Sequence, residues 1–183
     1  MGRRISYTLM YGNINKDLRV DMIYTFDDDA ESKYKTLKFN PEKNSTYIRP
    51  SYALSITEGF DKPHMFIPGS QISLVEDVIS KTVKAVSEHL FELFPDIGKK
   101  NDYDINISAL EKFTIENAVD IGGYTAIPCT YATPESECKP AIRLNSPRGE
   151  SVRLPLTDAI VISKKLEKTD LDTLSLLLLN VKS

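Results

Sequence analysis

The stretch from Met65 to Phe94 constrains the fold more than any other. It reads Met-Phe-Ile-Pro-Gly-Ser-Gln-Ile-Ser-Leu and then runs on as a long amphipathic segment. This spacing predicts a strand that ends at Pro68-Gly69 and turns directly into a helix over 72–94. Ile72, Val75, Ile79, Val83, Val86, Leu90 and Leu93 recur on one helical face, and Ser73 with Glu76 has capping-box spacing. A shorter echo follows near the C-terminus: Val152, Arg153, Leu154 and Pro155 lead into Thr157, which can cap a second helix through Ala159, Ile162 and Leu166. Two sheet-to-helix junctions in one chain point to an internal duplication.

The intervening patterns fill out two units. Residues 4–11 and 18–26 alternate with period two around the turn formers Gly12, Asn13, Asn15 and Asp17. Ile5, Tyr7, Leu9 and Tyr11 are expected to share one face. In the second strand Leu18, Val20, Met22, Tyr24 and Phe26 oppose Arg19, Asp21, Ile23 and Thr25. Shorter strands are expected over 34–39, over 46–56 with Pro50 marking an edge or bulge, and over 65–67. A polar connection near Gly98 separates the halves. After it a strand is expected over 112–121, and Gly122-Gly123 supplies the positive-φ pair of a tight hairpin. A return strand over 124–131 and a second hairpin, 139–144 with 151–154, precede the last helix. Densely apolar residues over 171–179 close the chain. The expected architecture is α+β: a single domain, 1–183, built from two pseudo-repeats, about 1–97 and 104–183, each of about four antiparallel strands followed by a helix. Arg49-Pro50 through Leu54 parallels Lys139-Pro140 through Leu144, and Phe66-Ile67-Pro68 parallels Arg153-Leu154-Pro155.

Two successive units of this kind resemble the Whirly single-stranded-DNA-binding family and its relatives, the positive-cofactor transcription coactivators. The likeness lies in the order of elements and in two junctions, Phe66 through Leu74 and Val152 through Thr157. It implies sheets that bind single strands with little sequence preference, and assembly into homo-oligomers through the helices. The chain has no copy of the Lys-Gly-Lys-Ala-Leu-Phe-type motif of plant Whirly proteins, so no site residue transfers from the family by motif.

Single-strand binding needs cations to follow phosphates and aromatic faces for unstacked bases. The first unit interleaves the two types in Arg3, Arg4, Tyr7, Tyr11, Arg19, Tyr24, Lys35, Lys38, Tyr47, Arg49 and Tyr52; Lys139, Arg143, Arg148 and Arg153 make the last hairpin locally basic. The bland alternative is a solvated sheet face. Residues 1–60 carry nine Lys or Arg against eight Asp or Glu, so only spatial sorting could produce a patch. The net charge of −3 likewise excludes a globally basic binder.

No enzymatic chemistry is expected. The chain lacks a Gly-rich phosphate loop and a nucleophile elbow, and His64, read in a turn, and His89 are isolated. Asp27, Asp28 and Asp29 with Asp21 and Glu31 could bind Mg²⁺ in a nuclease-like cluster, but read first as a solvated acidic turn. Neither a metal nor another cofactor is expected. The two cysteines, Cys129 and Cys138, lack metal or redox spacing, and no apolar run spans a bilayer, which fits a cytoplasmic protein. The expected function is largely sequence-independent binding of single-stranded DNA, or of RNA. The alternative is an oligomeric protein–protein interaction module that binds no nucleic acid.

Overall fold

A computed structural model describes residues 3–13, 16–26, 51–59, 64–97, 105–133 and 136–168. Strands β1 (Arg3–Tyr11), β2 (Arg19–Phe26), β3 (Ser51–Thr57) and β4 (His64–Pro68) form one antiparallel sheet, sheet A, in the order β1-β2-β3-β4. A short 3-10 turn, Gly69–Gln71, carries the chain into helix α1 (Ile72–Glu88). The single turn α2 (Leu90–Leu93) and helix α3 (Ile107–Asn117) follow. Strands β5 (Val119–Ile121), β6 (Tyr124–Thr133), β7 (Ser136–Asn145) and β8 (Ser151–Pro155) form sheet B in the same consecutive order, and helix α4 (Leu156–Lys168) completes the second unit. The α+β reading therefore holds, with two four-stranded antiparallel sheets, each followed by a helix.

The alternation of apolar residues accounts for one continuous core. Val20, Met22, Leu54, Ile56, Met65 and Ile67 leave sheet A on one face. Ile142, Leu144, Val152 and Leu154 leave sheet B, and Val75, Val78, Ile79 and Ile162 come from the helices; all fall in one buried cluster. The units interlock: α1 packs on α4 and across β5, β6 and β7 of the other sheet. Ser163 of α4 donates to Oε1 of Glu76 at 3.4 Å. The hairpin at Gly122 and Gly123 is present, with both glycines at positive φ and the Gly123 N–H on Oδ1 of Asp120 at 3.1 Å.

Several local expectations are corrected. Residues 112–117 are helical. The Asn106 side chain accepts from the Ala109 N–H at 3.1 Å and starts α3, which buries Phe113 but leaves Ile115 out in solvent. The apparent alternation of Phe113 and Ile115 is therefore not a strand face, and only 119–121 of the expected strand is extended. Ser73 and Glu76 form no capping box: Gln71 stands at the N-cap without a side-chain bond, and Glu76 turns to α4 instead. The helix expected over 72–94 breaks at His89, whose ψ of 19° leaves the helical region. Thr157 lies inside α4 rather than capping it.

A β-bulge between Thr8 and Met10 interrupts the expected period-two step, with Tyr11 opposite Arg19 and the Tyr7 register position opposite Met22. Pairing of Ala53 with Pro68 and of Ala141 with Pro155 makes Leu54 equivalent to Ile142, not to Leu144; the parallel drawn from the prolines at 50 and 140 is two residues off. A shift of two preserves the face of every side chain, which is why the letters could mislead. The strand expected over 34–39, the first part (46–50) of the one expected over 46–56, the acidic run at 27–29 and the apolar run over 171–179 lie outside the described residues.

Candidate nucleic-acid interface

Because strands alternate, the face of sheet A opposite the core carries complete cross-strand rows. One row runs Tyr11–Arg19–Thr57–His64 through all four strands. Tyr11 is 62% exposed, Arg19 and His64 are exposed and Thr57 is half-buried. The next row is Thr8–Asp21–Ser55–Phe66, with Phe66 partly exposed. These rows put an aromatic ring, a guanidinium, a hydroxyl and an imidazole side by side over about 14 Å, three strand spacings of ~4.8 Å.

Asp21 fixes the cation. Its carboxylate is buried, accepting from Thr8 Oγ1 at 2.7 Å on Oδ1 and from Arg19 Nε at 2.7 Å on Oδ2. The Arg19 side chain is still 51% exposed. With Nε engaged, the two terminal nitrogens remain as a planar fork, the geometry suited to a phosphate. A carboxylate on this face would by its charge repel phosphate, but Asp21 is paired with Arg19 and orients it. His64 starts β4 rather than lying in a turn, and Phe66 stands two residues on along the same face. The alternation of Met65 and Ile67 with them was the signal that both belong on the opposite face.

Sheet B arranges its cations differently. Arg143 is exposed on β7, in the row Ile127–Arg143–Arg153, and Lys139 is half-buried opposite Tyr131. The Arg153 guanidinium lies 5.1 Å from the centre of the Tyr131 ring, and its Nη2 is 3.5 Å from Oε2 of Glu58, in the first half. Arg148 donates Nη2 to the Phe66 carbonyl at 2.6 Å. Both arginines thus bridge the sheets. Arg4, Tyr7, Tyr24 and Tyr52 occupy register positions in β1, β2 and β3, opposite Thr25, Met22, Ile5 and Tyr24 respectively, and their side chains lie outside the described residues. So do Lys35, Lys38, Tyr47 and Arg49 entirely.

The junction at Pro68 is gripped by the other half. The Tyr124 hydroxyl donates to Gln71 Oε1 at 2.6 Å. Burial pushes the Tyr124 phenol above its ordinary range, with Arg148 pulling it down and Glu150 adding to the rise. Among the described residues no group of three His, Cys, Asp or Glu side chains could hold a metal, and no helix is long and apolar enough to cross a membrane. Compared with known protein families, with curated proteins and with solved structures, the chain matches none.

Proposed function

We propose that this chain is a non-enzymatic protein that binds single-stranded nucleic acid, DNA by its resemblance to the Whirly family, at the exposed end row of sheet A on the face opposite the core. The observation that carries the reading is the row Tyr11–Arg19–Thr57–His64, in which an oriented guanidinium stands beside an exposed ring. Tyr11 stacks a base, worth roughly 1–3 kcal/mol. Arg19, Thr57 and His64 contact the backbone of the same strand.

The Arg19–Asp21 pair is neutral as a unit, so short-range bonds and stacking outweigh long-range attraction. The affinity for an unstructured oligonucleotide should then fall with salt at about −0.7 in log K per log salt for each phosphate engaged, or roughly −0.7 to −2 for one to three contacts. A salt series by fluorescence anisotropy measures this. Absence of binding at low ionic strength defeats the proposal.

Phe91, Ile107 and Ile115 are 73%, 63% and 85% exposed on α2 and α3, which favours a second reading, an oligomeric interaction module without nucleic acid. It requires a defined oligomer by light scattering that added oligonucleotide leaves unchanged.

A further inference from the structure

The two halves are built alike, yet their equivalent faces carry different chemistry. β4 and β8 each have five residues and end in proline, Pro68 opposite Ala53 and Pro155 opposite Ala141. Through this register the row Tyr11–Arg19–Thr57–His64 corresponds to Asp120–Thr125–Asn145–Ser151 in sheet B. The second row has neither ring nor cation. Its Asn145 amide reaches Thr125 Oγ1 at 3.4 Å, and an exposed carboxylate stands where Tyr11 stands in sheet A.

The neighbouring row of sheet B does carry cations, but Arg153 is committed to Glu58 and to the Tyr131 ring, and Tyr131 is only 2% exposed, so no base can lie on it. Arg143 is left with Ile127 and Arg153 as row neighbours, neither of them an aromatic ring. We infer that each chain carries a single strand-binding face, on sheet A, because the equivalent face of sheet B has been given over to joining the halves. This rests on the nucleic-acid reading above and adds the number and place of the sites.

The test is a stoichiometric titration of the full chain with an oligothymidylate of about four nucleotides, at the short end of the site sizes of single-strand-binding folds. It is repeated with Arg19→Ala, Tyr11→Ala and Arg143→Ala, each checked for folding by circular dichroism. The expected result is one oligonucleotide per chain, at least a tenfold loss with Arg19→Ala or Tyr11→Ala, and less than a twofold change with Arg143→Ala. Two oligonucleotides per chain, or a loss with Arg143→Ala equal to that of Arg19→Ala, overturns the single-face inference alone. A wild-type chain that binds none at low salt overturns it together with the reading beneath it.

Discussion

The backbone N–H of Arg153 donates to Oε1 of Glu58, a carboxylate from the other sheet, at 2.5 Å. A matching bond runs the other way: the Phe66 N–H donates to Oε2 of Glu150 at 3.2 Å. Phe66 and Arg153 are structural equivalents, each two residues before the proline that ends its strand. β4 and β8 stand at the ends of their sheets' strand orders, and each half therefore blocks the other's edge with a carboxylate, leaving less backbone open to strand addition.

Glu58→Ala should accordingly destabilise the chain by about 1–3 kcal/mol, since it strips the acceptor from a partly buried N–H and the counter-charge from Arg153. Glu58→Gln, which keeps an acceptor, should cost less. Urea unfolding at constant m reads both. Equal midpoints for wild type and Glu58→Ala would show that the bond contributes nothing.

Tyr124 makes the stability depend on alkaline pH. Its folded pKa is raised, chiefly by burial, while the unfolded tyrosine ionises near about 10. Below that value both states keep the phenolic proton and stability is unaffected; above it the unfolded chain loses its proton first, and stability falls as pH rises toward the folded pKa. Tyr124→Phe should lose the Gln71 bond, at about 0.5–1.5 kcal/mol near neutrality, and flatten the alkaline decline. Unfolding midpoints from neutral pH upward check this, and an unchanged alkaline slope in Tyr124→Phe would assign the decline to other groups.

Period-two alternation made β1, β2, β4 and the β7–β8 hairpin legible, because one face of each sheet is buried and the pattern has to match it. Helix α3 was hidden because Phe113 and Ile115 imitate a strand, and what starts the helix is a single Asn106 side-chain bond. The bulge at Leu9 leaves no mark in the letters. Arg19 and Asp21 fall on one face, as the alternation expects, but the bond between them is not legible, because residue types alone do not say which carboxylate is buried. The partners of Arg148 and Arg153 lie 82 and 95 residues away, beyond any local periodicity.

The glycines of the two sheet B turns separate strain from crowding. Gly122 and Gly149 both have positive φ, at 62° and 89°. A Cβ on Gly122 would stand 2.7 Å from Leu74 Cδ1 on α1, whereas one on Gly149 meets nothing within 4 Å. Both alanine variants should lose stability from backbone strain, of order 1–3 kcal/mol. Gly122→Ala should lose more, because the hairpin must also move off α1. Thermal melts of the two variants compare them directly, and equal losses would mean that Leu74 yields freely.

Asp21 and Arg19 supply the sharpest test of the sheet A face, because charge counting and geometry predict opposite signs. If Asp21 merely repels phosphate, Asp21→Ala should tighten binding to a single strand. If it orients Arg19 through Nε, the same change frees the side chain, restores the entropy that binding must then remove, and weakens binding severalfold. Arg19→Lys keeps the charge but has neither Nε nor a planar fork, so it should lose most of what Arg19→Ala loses. Both variants are titrated at one fixed salt concentration, with far-ultraviolet circular dichroism confirming the fold. Tighter binding by Asp21→Ala, or full affinity in Arg19→Lys, would reduce Arg19 to a point charge on the sheet.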